Sequence, residues 1–188
     1  RPIGAAAALR AEGVDAASIR KIVVRTPNVT VKPLIHSRPR TGMEAKFSLE
    51  YGVVAALLDE HIGFATFTDE QVRRPEVTAL IRLVELDLTG GGDQLLSGEV
   101  EVEVHTTEGV RRKALSYPPG APQNPASAEE LRRKFAGCLA GLPVEATAIT
   151  WATAAGFWHT HLTLPTRGET PRKASTTART ATKRTYGR

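Results

Sequence analysis

The sequence has a single cysteine, Cys138, and few aromatic side chains: two Trp, three Tyr and five Phe in 188 residues. One cysteine excludes an internal disulfide framework and fits a reducing compartment, so a cytoplasmic location is expected. No apolar run reaches the roughly 18 residues that a membrane span requires. The start, Arg1-Pro2-Ile3-Gly4-Ala5, lacks the charged segment and long apolar stretch of a signal peptide. It also lacks an initiating Met, as a processed chain or a piece of a longer one does.

What is present is charge, unevenly placed. Lys and Arg number 25 against 20 Asp and Glu, a formal net of +5. Residues 167–188 hold seven of the basic side chains and one acid, Glu169, which leaves 18 basic and 19 acidic residues before them, a net of −1. The body is therefore near neutral and carries a basic tail. That tail has one aromatic, Tyr186, so stacking on bases is scarcely available, and nucleic acid is not the expected partner.

Along the chain, residues 3–11 read as a short helix stopped by Gly13, and 19–26 (IRKIVVRT) as a β-branched strand bounded by Pro27. Pro27, Pro33, Pro39 and Gly42 exclude a helix through 27–42. The strongest helical pattern is 43–59, where Met43, Phe47, Tyr51, Val54 and Leu58 recur at helical spacing and Lys46 and Glu50 form an i,i+4 pair. Thr68 to Gln71 fits a capping box, and the helix it opens should break near Pro75 before a second short helix that leads into 80–88. Residues 98–106 (GEVEVEVHT) alternate as a half-buried antiparallel strand, with Val100, Val102 and Val104 on one side. A turn at Glu108-Gly109 makes a hairpin with VRRKALSY. Ser127 with Glu130 forms another capping box, opening a helix to about Leu142 in which Cys138 behaves as a buried small hydrophobe. Residues 143–164 lose clean periodicity, and 165–188 have almost no core formers and are expected to be disordered. The elements sum to an α+β domain over 1–142 and an atypical basic tail over 143–188.

Several motifs carry little. His159 and His161 have no third ligand at metal spacing, so no metal site is assigned. Gly90-Gly91-Gly92 lacks phosphate-loop spacing and reads as a flexible connector. Glu44, Ser48 and Tyr51, four and three residues apart, fall on one face of the 43–59 helix. A phenol in such a polar stripe can donate a hydrogen bond or a proton, although a core tyrosine satisfied by a neighbour shows the same pattern.

The string 44–77 resembles the C-terminal domain of the MmgE/PrpD family, which includes 2-methylcitrate dehydratase and cis-aconitate decarboxylase. It carries Glu44, Ala45, Lys46, Phe47, Ser48 and Tyr51, then Ala56, Leu57, Leu58 and Asp59, then Phe67, Thr68, Pro75 and Val77, in the family's order. Residues 1–27 resemble its helix-then-strand entry, and 119–135 its segment with Pro119, Gly120, Pro122, Asn124, Pro125, Glu130, Leu131, Lys134 and Phe135. The resemblance implies an α+β fold with a small antiparallel sheet and helices on one face. It further implies one part of a two-domain homodimeric lyase that dehydrates or decarboxylates small di- or tricarboxylates, without metal or organic cofactor, as in propionate metabolism. Tyr51 matches the family's active-site tyrosine, and Lys46 and Ser48 match the same motif. Arg38, in the loop ahead of the helix, and Arg1 are assigned to substrate carboxylates. Arg1 stands where the family has a histidine and Ala5 where it has an aspartate, and the helical domain that supplies other catalytic groups is absent, so the chain alone is expected to be inactive. The alternative is a noncatalytic remnant or a binding module whose basic tail meets an acidic partner.

Overall fold

A computed structural model describes residues 1–90 and 98–139. The chain opens with α1 (Pro2–Ala11), whose proline sits in the first turn, where a missing N–H removes no helical bond. The helix ends before Gly13, which takes a φ of 92° that favours glycine. Strand β1 (Ile19–Pro27) follows. A single helical turn, α2 (Asn28–Val31), fits between Pro27 and Pro33, so the region expected to be free of helix holds one turn.

The helix expected over 43–59 is two helices, α3 (Gly42–Ala45) and α4 (Leu49–Leu58). Ser48 breaks it: its backbone is extended (φ −122°, ψ 118°), and its hydroxyl accepts the Tyr51 backbone N–H at 3.1 Å. A serine that caps a new helix competes with one that continues the old helix, and here the cap wins. Glu44, Ser48 and Tyr51 therefore do not share a helical face. Met43 and Phe47, which the spacing places in the apolar stripe, are 65% and 46% exposed. Lys46 is exposed and makes no pair with Glu50, whose side chain turns inward. Helix α4 buries every residue from Leu49 to Leu57, as a helix surrounded by other elements must.

Thr68 caps α5 (Asp69–Val72) by accepting the Gln71 N–H, and only this half of the expected capping box forms. Pro75 opens α6 (Pro75–Leu80), which leads into β2 (Val84–Thr89). Strands β3 (Val100–Thr106) and β4 (Gly109–Leu115) form the expected hairpin, with Thr106 opposite Gly109. Ser127 and Glu130 complete a reciprocal capping box on α7 (Ala128–Cys138). None of that helix is buried, so Cys138 is exposed rather than a core residue. The histidine pair and the tail lie outside the described residues.

The sheet order is β2-β1-β3-β4. The α+β class holds, but the sheet is mixed: β1 pairs antiparallel with β3 and parallel with β2. Parallel neighbours need a long connection, and α2 to α6 supply it. One face carries Ile22, Val24, Val100, Val102 and Val104, all fully buried, with α1 packed over β3 and β4 and against α4. The other carries cross-strand charges, including Lys21–Glu85 at 2.7 Å and Arg25–Asp87 at 2.9 Å.

Candidate functional site

The first turn of α4 gathers three polar side chains in the interior. Ser48 is the cap, Glu50 lies two residues on, and Tyr51 is fully buried. The Tyr51 hydroxyl donates to the Thr66 carbonyl at 2.5 Å, and its ring meets Phe67 at 5.9 Å between centroids, tilted by 56°. Burial pushes the phenol's pKa up, with Arg74 nearby opposing and Asp59 adding to the shift. The phenol therefore stays protonated, which suits a donor. Arg74 and Asp59 form a two-pronged pair at 2.8 and 2.7 Å.

Glu50 is the residue that spacing hides. The residue is about nine-tenths buried, and burial raises the pKa of its carboxyl. Its own backbone N–H and the Ser48 hydroxyl, 3.5 Å away, offset that in part. The available signal was Ser48 itself: read as a cap, it puts Glu50 in the first helical turn instead of on a solvated face opposite Lys46.

The other expected site residues lie apart from this cluster. Lys46 is exposed between α3 and α4. The Arg1 guanidinium donates to the Gly98 carbonyl and to the Thr30 hydroxyl at 3.4 Å, beside the end of β1. Arg38 lines a cleft of about 270 Å³ with Arg40 and Arg82, over a floor that includes Val72, Val77 and Ile81. Neither Tyr51, Lys46 nor Ser48 lines it. A second cleft, of about 460 Å³, sits between Arg25, Gly98, Glu99 and Glu101. Its arginine is already held by Asp87, Glu101 and Glu103, so its polar character is acidic. Among the described residues no group of three or more His, Cys, Asp or Glu is placed to hold a metal ion, and no helix is long and apolar enough to cross a membrane.

Residues 1–159 match the model of the MmgE/PrpD C-terminal domain. The chain belongs to the MmgE/PrpD family. The match runs past residue 142, where the sequence changes texture. Human cis-aconitate decarboxylase is 34% identical over 125 residues, covering 62% of this chain and 24% of the human protein. The mouse cis-aconitate decarboxylase is 33% identical over 126 residues, with the same coverage. The chain thus spans about a quarter of the length of the curated relatives it matches. MmgE/PrpD membership places it in a lyase-type family of dehydratases and decarboxylases.

Proposed function

We propose that this chain is the C-terminal part of a lyase that dehydrates or decarboxylates a small di- or tricarboxylate, such as 2-methylcitrate or cis-aconitate. The observation that carries the reading is the family membership together with relatives named as cis-aconitate decarboxylases. Elimination needs a placed acid and base and groups that hold the substrate's charge. Tyr51 is the proposed proton or hydrogen-bond donor. To act on substrate, its hydroxyl must give up the bond it now donates to the Thr66 carbonyl. Ser48 supports this role by fixing the first turn of α4. Arg38, Arg1 and Lys46 are the proposed cations for substrate carboxylates. The longer protein is proposed to act as a cytoplasmic homodimer, in propionate metabolism where 2-methylcitrate is the substrate.

The test is turnover of 2-methylcitrate and of cis-aconitate by this chain joined to the helical domain that precedes it in the family. Activity on one of them, with kcat reduced in Tyr51→Phe, is expected. Absence of turnover on both, or a Tyr51→Phe variant with unchanged kcat, contradicts the reading.

A further inference from the structure

Residues 60–73 form a segment tied at both ends. Asp59 ends α4 and Arg74 stands at the N-terminal end of α6, and their side chains, each about three-quarters buried, meet in the two-pronged pair. The Arg74 Nε also donates to the Gln71 carbonyl at 3.3 Å, so the guanidinium is held from two sides. Inside the segment, Thr66 presents its carbonyl to the Tyr51 hydroxyl, while its own hydroxyl accepts the Gly63 N–H at 3.1 Å. Asp69 accepts the Gly42 N–H at 2.8 Å, and Gly42 lies so close to the Phe67 carbonyl that no Cβ fits there. The acceptor of the Tyr51 bond is therefore fixed along the backbone on both sides. A phenol held in this way can redirect its proton by turning about the C–O bond, with its oxygen in place. Once the proton leaves, however, an anion stands beside a carbonyl oxygen, and a buried anion is costly unless a cation lies near. Arg74 and Asp59 are the charged groups that act on the phenol, with opposite sign, and the arginine's effect is the larger. A guanidinium keeps its charge at every working pH, and its fork has little freedom once both prongs are used.

We propose that Arg74 is a positioning residue for the lyase reaction: locked to Asp59, it holds the 60–73 segment against the Tyr51 hydroxyl and keeps a cation near the phenol as the proton leaves. The inference rests on the reading of Tyr51 as the donor, and adds the group that stabilises the donor's conjugate base. Asp59 has the contrary charge, and its part is to aim the guanidinium. Arg74 acts through Tyr51 without touching substrate, so its loss falls on kcat and leaves KM nearly unchanged.

The first test labels the full 188-residue chain with fluorotyrosine, whose phenol is more acidic than that of tyrosine, and titrates Tyr51 by fluorine NMR, its signal identified by Tyr51→Phe. Arg74→Gln is expected to raise the Tyr51 midpoint, Asp59→Asn to lower it, and Arg74→Lys to stay near the parent. Both Arg74→Gln and Asp59→Asn break the same ion pair, so loosening alone would move the two midpoints the same way, downwards, as burial is lost. Midpoints that move together, or do not move, overturn the proposal. The double variant Asp59→Asn, Arg74→Gln leaves neither partner as an unpaired charge, so it decides the matter where Arg74→Gln does not fold: its midpoint is expected above that of Asp59→Asn, and an equal or lower one overturns the proposal. The second test uses the joined protein. Arg74→Gln is expected to lower kcat by about tenfold or more with KM nearly unchanged, and Arg74→Lys to recover part of the loss. An unchanged kcat, or a loss carried by KM, contradicts the positioning role. The lyase reading fails separately: if the joined parent turns over neither acid, the fluorine titration still shows whether Arg74 governs the ionisation of Tyr51.

Discussion

Ser48 shows how one side chain decides local structure. Its hydroxyl holds the Tyr51 N–H at one end and reaches Glu50 at the other. Replacing it with alanine removes the cap, and Ser48→Ala is expected to cost about 0.5–2 kcal/mol, read from the urea midpoint. Glu50 works in the opposite sense. Its pKa is raised on folding, so its ionisation opposes the native state: stability is unaffected below the ordinary carboxylate range and falls as pH rises from that range to the raised value. Glu50→Gln is therefore expected to stabilise the domain at neutral pH and to remove that decline. A variant less stable than the parent at neutral pH would show that the carboxylate is needed as an acceptor. Tyr51 and Ser48 were legible in the sequence as motif residues. Their geometry was not, because a helical period continues unbroken across a serine whether it lies inside a helix or caps a new one. Glu50 was read as solvated for the same reason. Arg40 and Arg82 could not be joined to Arg38, since only the packing of α6 against the loop brings them to one cleft.

At the scale of elements, β3 was the most readable segment. Strict alternation told which valines face the core, and all three are buried. It could not tell what covers the opposite face. Glu103 is only 6% exposed there, because Arg112 on β4 at 2.6 Å, His105 on β3 at 2.5 Å and Arg25 on β1 at 3.2 Å close over it. Arg112, the strongest of these, holds the Glu103 carboxyl down from an ordinary 4.5 to about 2, against the opposing effect of burial, with His105 and Arg25 adding to it. A depressed carboxyl contributes stability that is present above its unfolded pKa and lost as pH falls through the folded value. The acid limb of a stability curve should therefore descend between about pH 4.5 and about 2, and Glu103→Gln should flatten it; an equal slope in both proteins contradicts the assignment. The direction of β2 was beyond the sequence. Val84, Leu86 and Leu88 alternate with Glu85 and Asp87 as well in a parallel strand as in an antiparallel one, and only the crossover reveals which it is.

At the scale of the molecule, β1 is the strand on which the sheet depends, and both its neighbours are remote in sequence. Arg25 alone bonds Asp87, 62 residues on, and Glu101 and Glu103, 76 and 78 residues on. A fragment ending at residue 83 contains β1 and most of the helices but no strand to pair with it. It is expected to show no protected β1 amides in hydrogen exchange, whereas a fragment reaching residue 115 should protect them. Long-range pairing of this kind closes late and slowly. On a ribosome adding about 5–20 residues per second, β1 would emerge roughly 4–16 s before the last residue of β3 is made. Until β2 is complete, a strand rich in isoleucine and valine has both edges open, and the edge that β3 covers stays open to the end of that interval, which is the condition under which chains stick to one another. The crossover that shapes the sheet thus makes the nascent chain a natural client of holding chaperones, most exposed to aggregation before its second half exists.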